Sequence, residues 1–399
     1  MNRLRLIRAG LLGVAILMGL VIVWRFLFGP FQIIFPVKSP PLNPEGIFGL
    51  SITLLLLTAV RRPTTQPLPL LTRRAAGLLV SAVVLITLAG CWRVLRIYFL
   101  SDDFTLMKAV AGWAPRDYLR AFIVPTHYLF VRPVGFALAG LYAAWFTSPV
   151  GWHASLLVLH ACNAVLVLFV ARRMGASSVA AGFAAALFGI HGIHPEAVGW
   201  IATLFDPLAT FFVLAGFLLF AKTREPSGDH RHMLLAASLT CSILAMLSKE
   251  AAFIFPFLVL VYVVSRKDSL RSTIPFFVTA ALIFAYRWIL VGGIGGYSAN
   301  GAVRPLAIGL GLETTLKAVA VRLWSFLYFP INWSVDPSLP LSLLALIYIA
   351  CMVWLAAKTR PSVSLWPALA AILFSIIPPL ALLSGSATLE GSRVLYLPA

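Results

Sequence analysis

Two adjacent carboxylates, Asp102 and Asp103, directly follow an apolar run. At a membrane surface such a pair can take a proton from an acceptor hydroxyl or hold a divalent cation. The plain structural alternative is a solvated cap on the next helix, a position that Ser and Asp favour. Further on come His127 and the pair Arg132-Pro133. A guanidinium there can grip a phosphate and an imidazole can donate to it, or Arg132 can merely anchor an interfacial helix.

His191, His194 and Glu196 place three potential metal ligands within six residues. Pro195 breaks any helix between them, and no second ligand pair follows, so no metal ligand is assigned and the segment reads as a polar hairpin tip lining a cavity. Asp206 heads the next apolar run, where a buried acid needs a partner. His153, His160 and Asn163 are spaced by seven and three residues, one helical face, which suits interhelical hydrogen bonds better than metal ligation. Residues 233–265 are apolar except for Ser248-Lys249-Glu250. One straight helix over that range would run about 50 Å, well past a hydrocarbon core of about 30 Å, so the chain must turn at the triplet. Lys249 then serves as a cation for a lipid phosphate beside an acid, or the pair neutralises itself.

The elements that position these groups are apolar. The 399 residues are 61% hydrophobic and 11% charged, against roughly 25% charged in a soluble domain, and the mean hydropathy is +0.96. That excludes a soluble globule. Cys91, Cys162, Cys241 and Cys351 lie inside apolar runs and read as packing residues, which excludes a disulfide scaffold. The net charge of +18 comes from short clusters flanking apolar segments, so it reports topology and not nucleic-acid binding. Neither a phosphate-cradling Gly loop followed by Lys-Ser or Lys-Thr nor a nucleophilic Ser elbow occurs.

Apolar runs near 11–28, 46–60, 75–99, 152–171, 177–191, 202–221, 233–247, 251–265, 273–291, 339–357 and 363–383 give about eleven crossings, the first a retained signal anchor. With a cytoplasmic N-terminus, every even-numbered connection is basic, including Arg61-Arg62, Arg73-Arg74, Arg172-Arg173, Lys222/Arg224/Arg231, Arg266-Lys267 and Lys358/Arg360. The candidate site residues then gather on the outer face. Two outer connections are long, 100–151 and 292–338, and each holds a stretch suited to a helix lying in the interface.

In this order the motifs resemble the GT-C superfamily of membrane glycosyltransferases, most closely the tetratricopeptide-bearing protein O-mannosyltransferase-like branch and its bacterial relatives. The resemblance rests on Asp102-Asp103, Val131-Arg132-Pro133-Val134, Gly151-Trp152-His153 with His160 and Asn163, His191 to Val198, Leu247-Ser248-Lys249-Glu250, and Glu390-Gly-Ser-Arg393-Val-Leu-Tyr396-Leu-Pro398. It departs at Leu204-Phe205-Asp206, where relatives often have an Arg before the Asp, and in two crossings ahead of the acidic pair instead of one.

The resemblance implies an all-α polytopic membrane protein. Residues 1–74 would form an N-terminal pair of transmembrane helices and 75–399 the catalytic region, with the usual C-terminal helices and repeat domain absent. It further implies transfer of a sugar from a polyprenyl-phosphate donor to an acceptor protein, glycan or lipid on the extracytoplasmic face, by an inverting displacement. Asp103 or Asp102 would be the base, with Asp103 favoured. Lys249, Arg132 and Arg393 would neutralise the leaving phosphate. His127, His191, His194, Glu196, Glu250, Glu390 and Tyr396 complete the substrate-binding set, and membrane lipids and the donor are the expected partners. No cofactor is required, although a divalent cation at Asp102 and Asp103 stays open. Arg in excess of Lys leans towards a bacterial inner membrane over the endoplasmic reticulum. The alternatives are a transporter or flippase of lipid-linked sugar and a non-catalytic lipid-glycan binder.

The orientation predicts that the segments around Asp102, Gly192, Lys249, Gly295 and Glu390 are all extracytoplasmic. Single cysteines placed at each in a cysteine-free background should react with an impermeant reagent from the outer side. A cytoplasmic result at Lys249 would contradict the convergence of the motifs.

Overall fold

The computed structural model describes residues 9–17, 20, 72–125, 130–191, 194–225, 230–292 and 396–397. The expected crossings near 46–60, 339–357 and 363–383, the loop 293–338, and His127, Glu390 and Arg393 lie outside the described residues, and so does the count of eleven. Residues 9–17 are helical and overlap the start of the first expected crossing. Apart from these and residue 20, the described residues belong to one compact unit that begins at Leu71.

That unit is helical throughout, with no strand among the described residues. Its order is α1 (Arg73–Cys91), continued by a 3-10 turn Trp92–Arg96, then α2 (Asp102–Val110), α3 (Pro115–Arg120), α4 (Pro133–Trp145), α5 (Pro149–Arg173) and α6 (Ser178–Ile190). There follow α7 (Pro195–Gly199), a 3-10 turn Ile201–Thr203, α8 (Phe205–Lys222), α9 (Arg231–Met246), α10 (Phe255–Ser265) and α11 (Ile274–Val291). Proline sits in the first two positions of α3, α4, α5, α7, α10 and α11. There its missing N–H leaves no bond unmade, because the first turn has no partner to offer. Thr72 and Ser177 cap α1 and α6 by accepting from Ala75 and Ala180 N–H.

Four segments are long and apolar enough to cross a membrane, Arg73–Arg96, Pro149–Arg173, Ile201–Lys222 and Leu270–Val291, which makes this a multi-pass membrane protein. Leu78, Leu85, Leu282 and Ile289 on α1 and α11 stand exposed, as a lipid-facing surface allows. Residues 133–145, 178–190, 231–246 and 250–265 are shorter apolar helices. The single helix excluded at the polar triplet is indeed broken there: α9 stops at Met246, and the chain passes through a 3-10 turn Glu250–Ile254 into α10. Cys91 and Cys241 are half-buried free thiols, as packing residues would be, whereas Cys162 is exposed on α5.

α5 is the spine, packing on α1, α6 and α8, while α8 and α9 form the tightest hairpin. One apolar cluster gathers Val213, Phe220, Met246, Phe255 and Phe276 around that hairpin. A second, with Phe99, Leu106, Phe136, Trp152, Leu204 and Phe205, joins α2 and α4 to the start of α8. A third packs Val83, Leu157, Ala185 and Phe188 against Tyr396.

The α8–α9 approach depends on Gly216, whose carbonyl accepts from Ser238 Oγ at 2.7 Å. A Cβ there would meet Cys241 Cβ at 2.9 Å and the Phe255 ring at 3.0 Å. Gly216→Ala should therefore destabilise the protein by about 1–3 kcal/mol, read as a lower thermal midpoint in detergent.

Candidate functional site

The turn before α2 is strained. Ser101 holds φ +38°, a region an L residue seldom occupies. It folds Asp103 back onto the main chain, where Oδ2 accepts from Leu100 N–H at 2.8 Å and Oδ1 from Ala202 N–H at 2.7 Å. Asp103 is fully buried, and burial raises its pKa against the pull of those two N–H groups. Asp102, in the first turn of α2, is exposed. The two neighbours thus divide the work: one carboxylate is spent on the backbone and the other stays open.

Asp103 thereby fastens α2 to the 3-10 turn that starts the next span. Four residues along that span, about 6–8 Å, lies Asp206, whose Oδ2 meets Lys249 Nζ at 2.5 Å. Both side chains are almost wholly buried. The adjacent Glu250 turns the other way. Its Oε2 accepts from Arg132 Nε at 2.9 Å and Nη2 at 2.6 Å, and its Oε1 from Arg287 Nη2 at 2.7 Å. Lys249 and Glu250 therefore do not neutralise each other. The Arg132 guanidinium also lies 4.0 Å from the Phe130 ring centroid and 5.3 Å from that of Phe205, contacts that fix its plane. Val134 N–H donates to Leu247 O at 3.3 Å, so the Arg-Pro and Lys-Glu segments are also joined through their backbones. Three cations (Arg132, Lys249, Arg287) face two carboxylates (Asp206, Glu250), leaving the cluster one positive charge in surplus.

The histidine tip is built differently. His160 Nε2 lies 3.0 Å from Gly189 O, and since a carbonyl accepts, Nε2 carries the hydrogen. Nδ1 is then the acceptor for Tyr396 O–H at 2.6 Å. The Tyr396 oxygen in turn accepts from Asn163 Nδ2 at 3.1 Å, which also donates to Pro207 O at 2.8 Å. The interhelical role expected for His153, His160 and Asn163 is displayed by His160 and Asn163, whereas His153 is buried with neither ring nitrogen hydrogen-bonded among the described residues. His194 is buried with its ring 4.6 Å from both Phe188 and Tyr396 and 5.1 Å from His160, and its nitrogens make no hydrogen bond among the described residues. Burial lowers its pKa well below the usual value, so the ring is neutral at pH 7. His194 packs as a ring between Phe188 of α6 and Tyr396. Glu196 is half-buried in the first turn of α7. No cluster of three potential ligands capable of holding a metal ion occurs among the described residues.

Of the expected site residues, Asp103, Arg132, Lys249 and Glu250 thus belong to contacts that meet at the start of α8, with Asp102 the exposed neighbour of Asp103. His194 and Tyr396 form a separate buried group, with the half-buried His191 ring beside His194. Arg287, absent from the expected set, proves central; its signal was a lone charge within the apolar run 273–291.

No family model and no solved structure matches this chain. A stretch of 209 residues, 50% of the chain, is 30% identical to Protein O-mannosyl-transferase Tmtc2 of Drosophila melanogaster, covering 21% of that protein. The chain spans about a fifth of the length of the curated relative it matches.

Breaking the Lys249–Asp206 pair strands a buried charge. Lys249→Met alone should cost roughly 3–5 kcal/mol, and most of that should return in the double variant Lys249→Met/Asp206→Asn. Thermal melts of the purified variants in detergent check both values.

Proposed function

We propose that this protein is a membrane glycosyltransferase that takes a sugar from a polyprenyl-phosphate carrier and passes it to a hydroxyl of an acceptor protein, glycan or lipid on the extracytoplasmic face. The observation that carries this reading is the division of the acidic pair. Asp102 is open, Asp103 is clamped, and the clamp leads through Ala202 and Asp206 to a buried cluster with surplus positive charge. The similarity to an O-mannosyl-transferase supports it independently.

In this scheme Asp102 accepts the proton of the acceptor hydroxyl as its oxygen attacks the anomeric carbon. The bond from that carbon to the phosphate oxygen breaks, and the electron pair leaves with the lipid phosphate. The exposed carboxylate can reach an incoming hydroxyl, whereas Asp103 has both oxygens occupied and acts by holding the turn. The roles are thus exchanged relative to the preference for Asp103 drawn from sequence. Arg132 stabilises the charge that develops on the phosphate, joined by Arg393 from the last motif. Lys249, held on Asp206, supports the frame more than it contacts the donor. The apolar grooves between helices take the polyprenyl tail. The scheme runs without a metal, and the competing use of the acidic pair as a cation site is separated from it by chelation. The basic connections support the extracytoplasmic orientation, and the use of Arg over Lys supports a bacterial inner membrane.

The test is release of polyprenyl phosphate from a panel of polyprenyl-phosphate sugars by purified protein, for the native chain, Asp102→Asn and Asp103→Asn, with and without a chelator. Asp102→Asn should lower the rate roughly 10²–10⁴-fold with donor binding retained. Asp103→Asn should cost both activity and thermal stability. Full activity in both variants would remove the acidic pair from the reaction, and loss of activity on chelation would convert it to a metal site.

A further inference from the structure

Arg287 stands in the last third of α11, on a span whose neighbouring residues Trp288 and Ile289 are exposed, while Arg287 itself is buried at 3% exposure. A guanidinium inside an apolar span is costly, and it persists where fixed partners or function repay the desolvation. Its partners form a closed circuit. Nη1 donates to Val131 O at 2.8 Å and Nη2 to Glu250 Oε1 at 2.7 Å. Glu250 in turn holds Arg132, and the Val131–Arg132 peptide closes the ring.

We infer that Arg287 is a positioning residue that aims the Arg132 guanidinium at the donor's anionic group, an inference that rests on the reading of the site as a lipid-phosphate site. Arg132 spends Nε and Nη2 on Glu250, and its Nη1 makes no hydrogen bond among the described residues. That edge is the one left for an anion. Phe130 and Phe205 set the plane of the guanidinium, and the circuit through Arg287 sets its rotation within that plane. Glu250 alone could follow Arg132 as it swings. Gripped also by Arg287, which is itself fixed on the carbonyl preceding Arg132, it cannot. A lysine at 287 would keep the charge but, as a point donor without the planar fork, would not hold both acceptors in that geometry.

The experiment measures binding of a radiolabelled polyprenyl phosphate, and in parallel sugar transfer, by the full chain in lipid nanodiscs. The proteins are the native chain, Arg132→Ala, Arg287→Lys, Arg287→Met and the double variant Arg132→Ala/Arg287→Met, each with its thermal midpoint. Arg287→Lys and Arg287→Met should each weaken polyprenyl phosphate binding about ten-fold. The double variant should bind no more weakly than Arg132→Ala alone, because a residue that acts through Arg132 has nothing left to position once Arg132 is gone. A merely structural role would give losses that add and that follow the thermal midpoint. Additive losses, or native affinity in both Arg287 variants, would overturn the inference. Binding with this pattern but no transfer from any donor would uphold the positioning role and defeat the glycosyltransferase reading. Absence of binding by the native chain would overturn both.

Discussion

Five charged side chains near one hairpin tip cannot remain ionised in an apolar bundle unless each finds an opposite charge, and here they pair crosswise. Lys249 reaches α8 for Asp206, and Glu250 reaches across to Arg132 and Arg287. Adjacent residues of opposite sign would neutralise each other most cheaply in water. In an extended turn their side chains diverge, and each can then tie a different helix. Lys249 is extended at φ −155° and ψ 146°, which sends its side chain and that of Glu250 to different neighbours. The short hairpin thereby becomes the knot that joins α4, α8 and α11. Buried pairs of this kind add little net stability over apolar packing, but losing one partner is costly, so they fix arrangement more than they strengthen the fold.

The acidic end of the site is fastened by a different device. The Asp103 carboxylate accepts two main-chain N–H groups, one from Leu100 beside it and one from Ala202, 99 positions along the chain at the start of a span. The strain at Ser101 belongs to the same turn, and the bonds made by Asp103 and the burial of Phe99 against Trp152 offset its cost. The turn that carries the open Asp102 is thereby tied to the start of the span that holds Asp206 and, through it, Lys249. A displacement reaction needs that relation: a base on the acceptor side, positive charge on the leaving-group side, and little freedom between them.

Much of the scaffold was legible in the sequence, because a membrane span announces itself by length and hydropathy. The runs read near 152–171, 177–191, 202–221 and 273–291 coincide with α5, α6, α8 and α11 to within a few residues. The turn at Ser248-Lys249-Glu250 followed from arithmetic on helix rise alone, and Asp206 was identifiable as an acid in want of a partner. Partner choice was not legible. Pairing of Lys249 with Asp206, and of Glu250 with Arg132 and Arg287, depends on which helices touch, and a single sequence encodes that only through the packing of many apolar side chains. The same limit hides the difference in burial between Asp102 and Asp103, since neighbours in a turn look alike until the fold decides which is buried. It also explains His194, whose type suggests chemistry but whose surroundings are the rings of Phe188, His160 and Tyr396.

The central claim is that the crosswise pairing holds one edge of Arg132 ready for the phosphate of a lipid-linked sugar. An electron cryomicroscopy structure of the protein with a non-hydrolysable polyprenyl-phosphate sugar analogue tests it most directly. The account predicts the donor phosphate within hydrogen-bonding distance of Arg132 Nη1, the Arg132–Glu250–Arg287 circuit intact, and the anomeric carbon facing Asp102. A phosphate bound away from Arg132, or a donor that enters only when Glu250 releases both arginines, would contradict it.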